Sequence, residues 1–190
     1  MPVELPLLLV EDALAWRAWL ARHHKQQSGV WLVLAKKGVL KPTSLRYEQA
    51  LEEALCHGWI DGQLRRHDEH TYHQRFTPRR PQSTWSKRNF AHVERLLAEG
   101  RMHTAGLAAV ASAKADGRWE AAYAGAASIE VPADLAAALE AAPAARARFD
   151  RLPAQSRYTI LYRITTARRS ETRARHIERY VATLSREEMP

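Results

Sequence analysis

Gly58 marks a change of hydrophobic period, and that change decides the fold class. Before it, Tyr47, Ala50, Leu51, Ala54 and Leu55 recur at the spacing that lines one side of a helix. After it, Trp59 to Arg66 and Thr71 to Thr77 alternate with the period of two that belongs to strands, and the polar turn at Asp68 and Glu69 joins them into a predicted hairpin. A further strand is predicted at Val30 to Ala35, a continuous apolar run suited to cover on both faces. Around these strands the spacing predicts helices over roughly 12–26 and 44–57, the second capped by Ser44. The expected fold is therefore α+β: a small antiparallel sheet with a central hairpin packed by helices, followed by an all-helical C-terminal module.

The rest of the chain is predicted to be helical. Ser83 or Thr84 is expected to cap a helix running to about Ala98, and Thr104 to Asp116 forms an alanine-rich helix ended by Gly117. Four more helices are expected after the small-residue stretch that ends at Ala127, with Pro143 and Pro153 as punctuation and Ser170 as a cap. In the last of these Ala174, Ile177, Val181 and Leu184 line one face, which leaves Arg175, Arg179 and Arg186 toward solvent. The domain boundary is placed at Ala127, giving a core domain over 1–127 and a helical module over 128–190.

Composition sets the chemical class. The net charge is +8, and the excess is local: residues 61–103 hold nine Lys/Arg against five Asp/Glu, and residues 151–190 hold nine Arg against four Glu. Two basic surfaces attract polyanions, phosphorylated ligands or acidic partners. The lone Cys56 excludes an internal disulfide and fits a reducing compartment. The apolar run Leu5 to Val10 is bracketed by Glu4, Glu11 and Asp12, unlike a signal peptide, and no stretch has the length of a membrane span. A cytoplasmic location without membrane association is the expectation.

Eight residues form the strongest candidate site: Arg75, Arg79, Arg80, Ser83, Trp85, Ser86 and Asn89, with Asp61 on the partner strand. Pro78 and Pro81 restrict the basic loop between them, arginine forks match carboxylate or phosphate oxygens, and free N–H groups at a helix start favour an anion. The competing structural reading has Asp61 paired with an arginine, Ser83 only capping and Trp85 filling the core. His67, His70 and His73 are regularly spaced but flank a turn, and no zinc motif accompanies them, so no metal is assigned. Cys56 and His57 are neighbours on a helix and point apart. With no nucleophile elbow, phosphate loop or dinucleotide turn, no catalytic residue or cofactor is assigned, and the reading leans away from an enzyme.

The run from Glu52 to Asn89, with its Gly58-Trp59-Ile60-Asp61 turn, its Gln74 to Pro81 string and Trp85-Ser86, resembles the YdeI/OmpD-associated, or bacteriocin-protection, family, as does Gly100 to Met102. The tail from Val131 to Leu152 and from Ser156 to Val181 is similar to the helical module of that family, although Arg163 stands where an aromatic is common and His176 where an arginine is. The resemblance implies a link to bacteriocin or antimicrobial-peptide resistance without an agreed biochemical activity. Many such toxins are cationic, as this chain is, and like charges disfavour direct sequestration. The implied role is therefore indirect, through a small anionic ligand held at the arginine loop. The alternative partner is a nucleic acid bound by the two basic regions, with Trp85 or Tyr72 stacking on bases.

Overall fold

The computed structural model describes residues 4–125, 128–167 and 169–186. The chain divides into two compact units, one formed by the residues up to Ser83 together with Asn89–Glu120, the other by Thr84–Arg88 together with the chain from Ala121 onward. The boundary expected at Ala127 lies outside the described residues.

The first unit is built on four strands, β1 (Leu7–Leu8), β2 (Val30–Ala35), β3 (Trp59–Arg66) and β4 (Thr71–Pro78), in the order β1-β2-β4-β3. The hairpin β3–β4 and its antiparallel pairing with β2 match the sequence reading, and β1 adds a two-residue parallel strand beside β2. Asp68 closes the hairpin: its Oδ1 accepts from the His70 and Thr71 N–H groups at 2.8 and 2.7 Å, which holds the carboxyl down at about 2. Further along, Asp61 faces Phe76 but Leu64 faces Gln74, so β3 carries one extra residue in a bulge. The buried Gln74 amide donates to the Gly62 carbonyl at 2.8 Å and so satisfies the backbone that the bulge releases.

Every residue of β2 is buried, yet its two faces are covered by different means. On one face α1 (Ala13–His23) brings Trp16 against Phe76, with ring centroids 5.8 Å apart, and Trp16, Trp19 and Trp59 pack edge-on or stacked around it. On the other face the Arg65 guanidinium lies 3.9 Å from the centroid of the Trp31 ring. The side chain of Asp12 caps α1 by accepting from the Ala15 N–H at 2.9 Å. Ser44 does not cap α2 (Tyr47–Cys56): its hydroxyl is turned to the Glu11 carbonyl, and Gln49 accepts from the Arg46 N–H instead.

Two further helices follow, α3 (Lys87–Ala98) and α4 (Thr104–Ala115). The second unit contains α5 (Ala133–Glu140), α6 (Pro143–Arg151), α7 (Ala154–Thr165) and α8 (Ser170–Ser185), close to the predicted spans. Its own core includes Leu135, Leu139, Phe149, Leu161, Ile164 and Leu184. Within α8, Ile177 and Leu184 are buried as the periodicity requires, Ala174 is exposed, and Arg169 rather than Ser170 stands at the N-cap. Among the described residues no helix is long and apolar enough to cross a membrane.

One ion pair closes this bundle. Arg173 on α8 donates to both carboxylate oxygens of Asp134 on α5, at 2.6 and 2.9 Å, and its third arm reaches the Ile164 carbonyl at the end of α7 at 2.9 Å. Asp134 is about half exposed, which weakens the Coulomb attraction, but one guanidinium joins three helices. Arg173→Ala is expected to destabilise the second unit by about 1–2 kcal/mol, and Arg173→Lys to recover less than half of that because a single ammonium cannot reproduce the fork. Denaturant unfolding of the two variants checks both values.

Candidate functional site

Three local devices bring a set of basic side chains together in the first unit. The first is the end of α2, where Gly58 takes φ +74° and its carbonyl accepts from the Arg79 N–H at 2.9 Å. That bond sets the loop from Pro78 to Pro81 beside the last turn of α2. The second is the loop itself, in which the Ser83 N–H donates to the Arg80 carbonyl at 2.9 Å while the Ser83 hydroxyl accepts from the Arg80 N–H at 3.1 Å. Ser83 thus closes a turn and does not cap α3, which begins only at Lys87. The third is the approach of α4 to α2: a Cβ on Gly106 would lie 2.4 Å from the Cys56 carbonyl oxygen, and the His103 N–H donates to that same oxygen at 3.0 Å.

Between these elements lies a pocket of about 330 Å³. Its cationic and titratable lining comes from His24, Lys25, His57, Arg79, Arg80 and Arg118, and among the described residues no acidic side chain lines it. Ala105, Ala109 and Ser112 of α4 make one wall, and Trp59, whose indole N–H donates to the His24 carbonyl at 3.1 Å, makes another. A pocket of this size admits a small molecule or a single charged group.

Two of the lining groups are buried and fixed. The guanidinium of Arg118, 5% exposed, donates to Asp116 at 2.8 Å, to the Ser83 carbonyl at 3.0 Å and to the Ser112 hydroxyl at 3.1 Å, so it braces the wall. His57 is 1% exposed; its Nδ1 lies 2.9 Å from the Glu53 carbonyl oxygen, and its Nε2 has no hydrogen-bond partner among the described residues. Burial, reinforced by the nearby His103 and His24 rings, lowers its pKa, so the ring is neutral near pH 7. Cys56 beside it is a buried thiol pushed up to about 11 by desolvation, which leaves it unreactive.

One turn before His57 on α2, Glu53 anchors a charged network that periodicity alone does not reveal. Glu53 of α2, 3% exposed, accepts from Arg17 at 2.7 Å through both oxygens and from Arg101 at 2.7 Å. Burial pushes its carboxyl up, but the hydrogen bonds and charges of Arg17 and Arg101 outweigh that and hold it below the ordinary range. Arg101 also bonds Glu52 and Glu99, and Glu52 and Glu99 both pair with Arg95.

The eight residues singled out in the sequence separate into groups. Arg79 and Arg80 line the pocket, and Ser83 shapes the loop that carries them. Among the described residues Asp61 pairs with no arginine; its carboxylate accepts from the Tyr47 hydroxyl at 2.9 Å. The Arg75 side chain lies across Gly62 in the bulge, where a Cβ would stand 2.8 Å from its Nε, and it does not line the pocket. Trp85 and Ser86 belong to the second unit, where the Trp85 carbonyl accepts from the Tyr123 N–H at 2.9 Å and Ser86 bridges to Tyr123, and neither they nor Asn89 line the pocket. The helix start that was expected to offer N–H groups to an anion is likewise absent from the lining, whose helical part is α4. Sequence reasoning missed His24, Lys25, His57 and Arg118. The available signal was the Gly58 break, because residues beside a left-handed glycine end a helix and face a turn.

His67 and His73 stack with centroids 4.5 Å apart on the hairpin, and among the described residues no group of three or more His, Cys, Asp or Glu is arranged to hold a metal.

Fold and pocket together define an α+β unit with a basic pocket, joined in one chain to a unit of helices. The chain belongs to the family described as a domain of unknown function (DUF8412), whose model matches residues 8–109, just over half of its length. Residues 128–187 match the model described as "Bacteriocin-protection, YdeI or OmpD-Associated", so the YdeI/OmpD-associated domain that the tail resembles is present. The whole central run from Glu52 to Asn89, including the pocket's Arg79 and Arg80, therefore falls within the first matched segment and outside the second. No curated protein and no solved structure gives a match.

Proposed function

We propose that the protein binds a small anionic ligand, carboxylate or phosphate in its chemistry, in the basic pocket of the first unit, and that any protection against bacteriocins is an indirect consequence inside the cell. One observation carries the reading: Arg79, Arg80 and Lys25 converge on a pocket that no carboxylate of the described residues lines. Cations gathered at one concave surface repel one another, and an anion relieves that repulsion while arginine forks supply paired donors to its oxygens. The rigid loop between Pro78 and Pro81 limits the entropy lost when a ligand is clasped.

Calorimetric titration with inorganic phosphate, pyrophosphate and citrate tests the proposal. The wild-type protein is expected to bind at least one of them, more weakly as salt rises. The Arg79→Ala/Arg80→Ala double variant, with an unchanged circular-dichroism spectrum, is expected to bind at least about thirtyfold more weakly, as the loss of charged hydrogen bonds requires. Equal binding by a folded double variant would overturn the assignment. Binding of single-stranded oligonucleotides that survives the double substitution would favour the two basic surfaces instead.

A further inference from the structure

His57 adds a demand that the arginines do not make. Its Nδ1 faces a backbone carbonyl, which can only accept a hydrogen bond, so Nδ1 carries the ring proton. In the neutral ring Nε2 then presents a lone pair; this atom is buried and has no partner among the described residues, and His57 is one of the residues that line the pocket. A buried acceptor without a donor is costly, and a ligand that brings the donor recovers that cost on binding.

The groups around His57 keep it in this form. His24 at the end of α1 and His103 before α4 have their rings beside it, Lys25, Arg79 and Arg80 line the same pocket, and the Glu53 carboxylate, whose charge acts on the ring, is already held by Arg17 and Arg101. Burial and the neighbouring histidines depress the imidazole pKa in the same direction. A second cation at Nε2 is therefore disfavoured, and the atom stays an acceptor at neutral and higher pH.

We infer that the pocket selects an oxyanion that carries its own proton, with the arginines taking its charged oxygens and His57 Nε2 accepting the hydrogen bond from its O–H. The inference rests on the anion-binding reading and narrows it to protonated oxyanions such as monohydrogen phosphate. A fully deprotonated oxyanion of the same charge and size would set its own lone pairs against that of Nε2, and sites built for an O–H reject analogues that lack it.

Inorganic phosphate and sulfate at pH 8 make the matched probe pair, since both are tetrahedral dianions and only phosphate retains a proton. Competition or calorimetric titration of the full chain at fixed chloride is expected to give at least about tenfold tighter binding of phosphate, one good hydrogen bond's worth. In His57→Leu the two anions are expected to bind within about twofold of each other. Equal affinities in the wild-type protein would overturn the role of His57 while leaving anion binding intact, and this comparison does not depend on how the variant folds. Binding of neither anion would overturn the role of His57, and the anion-binding reading would fall with it only where pyrophosphate and citrate also fail to bind.

Discussion

Glu53→Gln is expected to lower stability at pH 7 by about 2–3 kcal/mol, although the substitution changes no shape. Glu53 is the only member of its network that is almost fully buried, and it is compensated by three charge-assisted bonds from Arg17 and Arg101. An amide accepts at one atom only, offers an N–H to a guanidinium that cannot accept it, and carries no charge. Removing one partner of a buried pair is usually more damaging than this, about 3–5 kcal/mol. The figure is smaller here because the Arg17 and Arg101 side chains are 44% and 29% exposed and can rehydrate.

The pH dependence has a definite sign. In the folded chain the Glu53 carboxyl titrates below its ordinary 4.5. Its contribution is therefore complete above about pH 4.5 and is lost as pH falls through the folded value, where the unfolded chain has already taken up the proton. The stability gap between wild type and Glu53→Gln, measured by urea unfolding, should be full at pH 7 and shrink toward pH 3. A gap independent of pH would show that the carboxylate charge is not what holds α1, α2 and Arg101 together.

Gly106→Ala is expected to cost about 3 kcal/mol or more and to weaken ligand binding with it. The new Cβ would lie 2.4 Å from the Cys56 carbonyl oxygen and 2.8 Å from that of Leu55. Both obstacles are backbone atoms at the end of a helix, so no side-chain rotation relieves the overlap and α4 has to move away from α2. That movement displaces Ala105, Ala109 and Ser112, the wall of the pocket, and breaks the bond from His103 to Cys56. Gly125→Ala is the control, since none of the described residues' atoms is found within 4 Å of its Cβ position, and it should stay within about 0.5 kcal/mol of wild type. Thermal unfolding of the two variants, with phosphate titration of whichever fold, separates a packing effect from a general intolerance of alanine.

Local chemistry was legible in the sequence wherever a short pattern fixes it. The hairpin, its Asp68 turn and the spans of the later helices follow from period, turn residues and proline placement, all of which act within a few positions along the chain. The Pro-flanked arginines also announced themselves, because two prolines deny regular structure to the residues between them. Ser44, Ser83 and Ser170 show the limit of such reasoning: each has the hydroxyl that capping requires, but a nearby carbonyl or turn N–H competes for Ser44 and Ser83, and Arg169 takes the position before Ser170. Asp61 shows it again, since a carboxylate close in sequence to arginines bonds instead to a tyrosine fourteen positions away.

The change of period at Gly58, then, settled the α+β class and the hairpin before any tertiary contact was known, and the distribution of arginines settled that the protein carries concentrated positive charge. Which of those charges share a pocket was decided only by tertiary structure. His24, His57, Arg79 and Arg118 come from four separate segments, and they meet because Gly58 turns the chain onto Arg79 and Gly106 lets α4 close on α2. Periodicity reports what each residue faces within its own element. Convergence between elements depends on close backbone approach over long separations, and that leaves no regular spacing to read.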